Sequence, residues 1–439
     1  LFVVQMEGIR YFTPNRQAQP AFAQALERAE AAGVGLYAYG CHVTRDSMQI
    51  SYEIPVILNP DKEQDGLETI AAPLLKWYDE NRRVLPWRED PAPYRVWISE
   101  IMLQQTRVEA VKPYFLRFIG ELPDVKALAE CPEEKLMKLW EGLGYYSRAR
   151  NLKKAAVCLM EDYGGQMPAS RDEILKLPGI GSYTAGAVAS IAYDLPAPAL
   201  DGNVVRVLTR LFADPQDSTK PALRKEYERR LEAELVRRTE ERDFYLSAGD
   251  DAGEVSTASR SEELFHPGEY NQAWIELGAL VCIPGGRPLC EKCPLESLCL
   301  AHRRGEEEQY PVKPPKKPRR IEEKTVCLIE WEDTVAIRKR SSKGLLASLY
   351  EYVNLDGKKS AAEAAKELGI AEADIRETED LPDAVHIFSH VEWHMCGRRI
   401  RLKRASGYQD KAVLMVRRAQ LQDRYPIPNA FRVYTNILI

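Results

Sequence analysis

Cys282, Cys290, Cys293 and Cys299 crowd into one run, VCIPGGRPLCEKCPLESLC, spaced C-x7-C-x2-C-x5-C. Thiolates this close in sequence are the pattern of a metal or cluster site. Tetrahedral zinc and an iron–sulfur cluster are both open to four sulfur ligands. The other five of the nine cysteines, Cys41, Cys131, Cys158, Cys327 and Cys396, are scattered. A disulfide framework is not expected, because the opening LFVVQMEGIRYF lacks the basic region and long apolar core of a secretion signal. It begins with Leu rather than Met, which we read as a start inside a longer reading frame.

Two carboxylates stand where chemistry is possible. Glu100 lies in PYRVWISEIMLQQTRVEAVKPYF, a helical pattern that surrounds it with Trp97, Ile101, Met102 and Leu103. A carboxyl among apolar neighbours should hold its proton to higher pH, which suits a general acid; a surface helix position is the plain alternative. Asp201 follows the Pro-rich LPAPAL and opens the helical pattern DGNVVRVLTR. By itself that is an N-cap. About twenty residues upstream, KLPGIGSYTAGAVASIA reads as helix, glycine turn at Gly179 and Gly181, then helix. Such a hairpin offers backbone N–H groups to a DNA phosphate.

These strings need elements to carry them. At 439 residues the chain should hold two to four domains, since one core rarely serves more than about 250 residues. Residues 1–60 alternate strand-like and helix-like stretches. From 64 to 301 the pattern is almost wholly helical, broken by an acidic segment, 248–266, expected to be a solvated loop. Residues 302–323 are charged and Pro-rich, expected to be a stiff, extended linker. Residues 324–439 read as a separate α+β domain. No run of about twenty apolar residues predicts a membrane span. The net charge of −5 excludes a uniformly basic surface but not a local basic face. Ser147–Lys154 and Lys313–Arg320 are candidates for one, or for plain solvated surface.

The strings SEIMLQQT, GLGYYSRARNL, LPGIGSYTA and LDGN, in that order, resemble the MutY family of adenine DNA glycosylases within the endonuclease III superfamily. The resemblance spans about 64–439. It implies a mainly α helix-hairpin-helix glycosylase domain with an iron–sulfur loop (64–301), an interdomain linker (302–323) and a MutT-like, Nudix-fold 8-oxoguanine recognition domain (324–439). It implies excision of adenine mispaired with 8-oxoguanine or guanine in double-stranded DNA. Glu100 would protonate N7 of adenine, Asp201 would stabilise the oxocarbenium-like sugar, and Asn203 would orient Asp201.

By the same resemblance Gln105 and Tyr145 would fill the gap left by the flipped base, with Thr106 and Leu143 beside 8-oxoguanine. Trp87, Arg88 and Gln272 would line the adenine pocket, and Phe388, Ser389 and His390 would contact the lesion. Taken from residue type alone, Tyr145 would be a core aromatic and Phe388–His390 a plain strand-end turn. Tyr183 occupies the position where bifunctional relatives carry a Schiff-base lysine, which implies a monofunctional enzyme that leaves an abasic site. The cysteine spacing is similar to the family's [4Fe–4S] loop, whose commoner first spacing is six; structural zinc is the alternative.

The stretch AAEAAKELGI keeps Glu363 and Glu367 but has Ala362 and Lys366 where a Nudix box requires Arg and Glu, implying recognition rather than hydrolysis. Residues 1–60 resemble the C-terminal end of the sugar fermentation stimulation protein (SfsA) family, without that family's nuclease-like motifs. A cytoplasmic, nucleoid-associated monomer of bacterial type is expected. Three rivals are a hairpin glycosylase for oxidised pyrimidines or thymine mismatches, a non-enzymatic damage-binding module, and a nuclease in the N-terminal segment.

Overall fold

The computed structural model describes residues 2–4, 12, 14, 19–43, 47–54, 56, 58, 67–247, 264–315 and 318–439. The chain divides into two compact units, one of residues 1–83 and 194–313, the other of residues 84–193 and 314–439. Each unit is therefore built from two separate stretches of sequence.

In the first unit, strands β1 (Phe2–Val4), β2 (Ala38–Val43) and β3 (Met48–Ile54) form a small mixed sheet in that order, accompanied by the helix Pro20–Ala31. The larger body is helical. Leu223, Tyr227, Leu231 and Leu235 recur every fourth residue on the long helix Pro221–Ser247, so they share one face. That face packs with Leu74 and Tyr78 of the helix Ala71–Asn81, Val204 and Leu208 of the helix Gly202–Leu211, and Trp274 of the helix Pro267–Leu280. Arg83 ties the first and last of these by a bidentate pair to Glu276, which is fully buried (2.8 Å from Nε, 2.7 Å from Nη2).

Two expectations change here. The acidic segment lies outside the described residues at 248–263, but its end does not read as solvated. Phe265 is buried and packs on Tyr270 at 5.5 Å, because the helix that follows needs an apolar lead-in. The stretch after residue 302 is not uniformly extended. The helix Leu300–Arg304 and a 3-10 turn, Glu307–Gln309, occupy its start. Buried Arg210 draws in the carbonyls of Glu307 (2.8 Å) and Tyr310 (3.1 Å), and Ser218 N–H bonds the Val312 carbonyl at 3.0 Å.

The second unit combines seven helices from Pro93 to Tyr193 with a six-stranded sheet. The helix Ser182–Tyr193, SYTAGAVASIAY, is made of small residues, which lets it pack closely on Pro93–Leu103. The sheet runs β7 (Ile375–Ile387), β8 (Val391–Leu402), β4 (Arg320–Trp331), β6 (Tyr350–Asp356), β5 (Thr334–Lys339), β9 (Val413–Arg417). Only β4 and β8 pair in parallel among these described neighbours. Pro382 lies where the register of edge strand β7 shifts, the place where a residue without an N–H is tolerated. Among the described residues, no helix is long and apolar enough to cross a membrane.

Candidate active-site residues and cysteine loop

Glu100 sits in the last turns of Pro93–Leu103, a helix buried from Val96 to Met102, and is itself only 7% exposed. This is not the surface position that a lone helical glutamate would ordinarily take. The Tyr183 hydroxyl donates to its Oε2 at 2.5 Å. Tyr183 stands one residue into the second hairpin helix, so the hairpin turn delivers the phenol to the carboxyl. At the turn, Gly179 has φ +78°, and a Cβ there would lie 2.5 Å from Cβ of Asn151. Only glycine fits that approach. Gly181 meets no such crowding. Trp87 is buried in the short helix Pro86–Glu89, edge-on to Phe115 at 5.4 Å, with Arg88 beside it in sequence and partly exposed.

The same helix ends at Leu103, and the chain then turns outward. Gln105 is exposed with φ +58°; Thr106 is partly buried. Tyr145, in the GLGYY turn, is 47% exposed with φ +46°. The adjacent Tyr146 is the core aromatic instead, at 6%, and Leu143 is buried as well. Non-glycine residues with left-handed backbone are costly and are held only where surrounding contacts dictate them. The run Ser147–Lys154 is not a plain solvated face: Arg148 is buried, and Arg150 donates to the Ala347 carbonyl at 2.8 Å. Within Lys313–Arg320, Lys316 and Lys317 lie outside the described residues, and Arg319 donates to the Phe388 carbonyl at 3.1 Å.

Asp201 belongs to the first unit. It is the N-cap of Gly202–Leu211, accepting from the N–H groups of Asn203 and Val204 at 2.8 Å each. The Asn203 side chain donates to its other oxygen at 2.7 Å. Burial raises the Asp201 carboxyl above its ordinary value, and these donors and the Arg206 charge pull the other way. Arg206 in turn donates to Asn203 Oδ1 (2.8 Å) and to the carbonyls of Gly278 (2.7 Å) and Cys282 (2.7 Å). Gln272, on Pro267–Leu280, is partly buried and donates to the Gly268 carbonyl at 3.3 Å.

Cys282, Cys290, Cys293 and Cys299 all line one small cavity, together with Val207, Leu211, Val281, Pro288 and Leu295. Gly285 (φ +76°) and Gly286 (φ +146°) make the turn between the first two cysteines. Burial, then neighbouring negative groups, raises the Cys290 thiol to about 12. Cys293 and Cys299 are also raised chiefly by burial, to about 12 and about 11. A bound cation supplies the charge that would keep such thiols deprotonated. Arg210 donates to Cys282 Sγ at 3.2 Å, and Cys299 Sγ lies 3.4 Å from the Arg210 carbonyl. His302 and Glu307 pair at 2.5 Å, with Cys290 close enough that the three could share a metal.

In the sheet domain, Phe388, Ser389 and His390 form the turn between β7 and β8, closed by Phe388 N–H on the Val391 carbonyl at 2.8 Å. Phe388 packs between His386 and Trp393, while Ser389 and His390 are exposed. Glu363 is spent on a capping box with Ser360, and Glu367 pairs with Lys359 at 3.0 Å.

Arg206, Arg210 and Arg148 were not picked out as site residues from the sequence. Arginines in a helix ordinarily read as solvent-facing. The available signal was the spacing: Arg206 is three residues after Asn203 and four before Arg210, so all three share a helix face.

Residues 98–233 match the HhH-GPD superfamily base excision DNA repair protein family, 325–436 the NUDIX domain family, and 1–47 the sugar fermentation stimulation protein RE domain. An adenine DNA glycosylase of Rattus norvegicus is 32% identical over 377 residues, covering 73% of this chain and 68% of that one. That of Buchnera aphidicola from Schizaphis graminum is 32% identical over 338 residues, covering 77% and 89%. Among solved structures, a thermostable thymine-DNA glycosylase aligns over 54% of this chain and 96% of its own, at 26% identity and TM-score 0.42.

Proposed function

The chain belongs to the adenine DNA glycosylase family of DNA repair enzymes, and on that premise we propose that it excises adenine opposite 8-oxoguanine, or guanine, and leaves an intact abasic site. The observation that carries this reading is the Tyr183 hydroxyl on Glu100 Oε2. A phenol stands where a strand-nicking relative needs an amine, and its bond holds the carboxyl in one orientation. Glu100 then delivers a proton to N7 of the everted adenine. The leaving group departs neutral, and Asp201, aimed by Asn203, faces the cationic sugar that remains. Water completes the hydrolysis of the N-glycosidic bond. By the family likeness Trp87, Arg88 and Gln272 are the candidates to contact the adenine, and the amides after Gly179 and Gly181 to hold a phosphate.

Gln105 and Tyr145 enter the duplex in place of the flipped base, with Thr106 and Leu143 beside the orphan partner. Their left-handed backbone and the exposure of both side chains suit that role. Ser389 and His390 read the lesion from a turn stiffened by Phe388 against Trp393. The acids of the vestigial box are engaged in capping and pairing, which fits recognition rather than hydrolysis.

The four cysteines fit a [4Fe–4S] cluster as a structural group that orders their loop. Tetrahedral zinc at about 2.3 Å from each sulfur would draw the sulfurs to roughly 3.8 Å apart. Among the described residues, the trio that meets within 4.8 Å is Cys290, His302 and Glu307, not three thiols. Ligation by thiolates alone, from four cysteines lining one pocket, is what favours a cluster.

The test is single-turnover release of adenine from duplexes carrying A opposite 8-oxoguanine, G or T, with parallel duplexes holding oxidised pyrimidines or a G:T mismatch. We expect release fastest opposite 8-oxoguanine, no action on the pyrimidine lesions, and no borohydride-trapped complex. A trapped imine refutes the monofunctional reading. Equal rates opposite 8-oxoguanine and T refute the lesion reading. Iron and sulfide assay of anaerobically purified protein addresses the cluster, and stoichiometric zinc in their place rules it out.

A further inference from the structure

Gln105 and Tyr145 are forty residues apart in sequence and share a rare backbone state. One buried side chain holds both loops. Arg148, 8% exposed, follows Tyr145 by one helical turn. Its Nη1 donates to the carbonyls of Ile101 (2.8 Å), Met102 (3.0 Å) and Gln104 (2.6 Å). Its Nη2 donates to the carbonyls of Leu143 (3.1 Å) and Gly144 (3.2 Å) and reaches Thr106 Oγ1 at 3.4 Å. The guanidinium also lies over the Tyr145 ring, 5.5 Å from its centroid.

The bonded carbonyls include those of Gln104 and Gly144, each immediately before a left-handed residue. A carbonyl fixes the plane of the peptide that follows it, so gripping it sets the φ-bearing bond of the next residue. Burial lowers the Arg148 pKa to about 10, and the group stays charged at neutral pH. Arginine suits the place because a planar fork with five donors can serve two chain segments, whereas an ammonium is a point donor.

We propose that Arg148 is a positioning residue that locks the two wedge loops to each other, so that Gln105 and Tyr145 enter the duplex as one body. The inference rests on the reading of those two residues as the wedge. Because each loop borrows its geometry from the same guanidinium, moving one disturbs the other. Truncating one wedge residue should therefore blunt the other.

The experiment is a double-mutant cycle of Gln105→Ala and Tyr145→Ala, run with Arg148 and again with Arg148→Lys. Base extrusion is followed by stopped-flow fluorescence of 2-aminopurine placed opposite 8-oxoguanine. With Arg148 in place, the two substitutions should be non-additive by roughly five- to tenfold. With Arg148→Lys, extrusion should slow and the non-additivity should vanish, while iron content is kept. Additive losses with Arg148 present overturn the coupling and leave the wedge reading intact. Single substitutions that leave extrusion unchanged overturn the wedge reading and the coupling with it. A second measurement covers a misfolded Arg148→Lys protein. Gln105→Gly relaxes one loop without touching the other, and amide hydrogen exchange at residues 143–146 is compared with the native protein. Faster exchange there supports the lock; unchanged exchange overturns it.

Discussion

Asp201 caps the first turn of its helix with two backbone amides and an asparagine amide on its oxygens, and a buried arginine behind the asparagine. Glu100 lies in the body of its helix between Trp97, Ile101 and Met102, with a tyrosine hydroxyl on one oxygen. The two acids belong to different compact units. Asp201 has donors on both oxygens that offset part of its burial; Glu100 is buried in an apolar helix with a tyrosine hydroxyl on Oε2. Converging donors are what a catalytic anion needs, and an apolar helix is what a proton carrier needs. The division of labour is thus prepared by local fold, not by residue type.

The sharpest way to break this contrast is to remove the proton carrier. Glu100→Gln keeps the shape and loses the acid; single-turnover adenine release should fall by about 10³–10⁴-fold, while binding to abasic-site DNA persists. Residual release within tenfold of native would make Glu100 a structural residue. Asp201→Asn should lower release by about 10²–10³-fold, the range for losing one preorganised electrostatic partner. Asparagine is as good an N-cap, so the helix start should survive. A variant that retained full activity would place the cation stabiliser elsewhere.

A smaller effect sharpens the Glu100 side. Tyr183→Phe deletes the hydroxyl that orients the acid but leaves the acid. Loss of one hydrogen bond to a group that changes charge should cost about tenfold in single-turnover rate, with little change in DNA affinity. A loss as large as that of Glu100→Gln would mean that the phenol itself takes part in proton transfer.

What could be read from the residues divides along the same line. The four-cysteine spacing, the glycine hairpin and both carboxylates are short strings whose chemistry depends on few residues, and a chain displays them directly. Tyr145 against Tyr146 could not be separated by type; the turn that exposes one and buries the other depends on Trp140 Nε1 bonding the Gly144 carbonyl and on Arg148. The arginines escape notice for the same reason. Arg148, Arg206 and Arg210 satisfy carbonyls brought together only by folding, and nothing local marks a guanidinium as internal. Prolines and charges make the segment after residue 302 read as extended, yet Arg210, about a hundred residues earlier, gathers its carbonyls into a turn. The division into two units, each interleaving two sequence stretches, has no local signature at all.

The smallest expected effect is on pH dependence, and it tests the Asp201 side of the contrast without removing the group. Burial raises its carboxyl above the ordinary 3.8, against the pull of Val204, Asn203 and Arg206. Catalysis uses the anion, so release should fall on the acid side at a pH above the ordinary aspartate range. Asn203→Ala takes away one donor to the anion and should move that limb to higher pH. Stability carries the opposite sign. A carboxyl whose folded pKa is raised contributes stability that is present below its unfolded value and is lost as pH rises through its folded value. At neutral pH the charged Asp201 is therefore a net cost to folding, and Asp201→Asn should melt no lower than native there, with the difference shrinking as pH falls. Thermal melts at acid and neutral pH measure it. Should the variant melt clearly lower at neutral pH, the donors outweigh burial, and Asp201 is stabilised rather than strained by the site it serves.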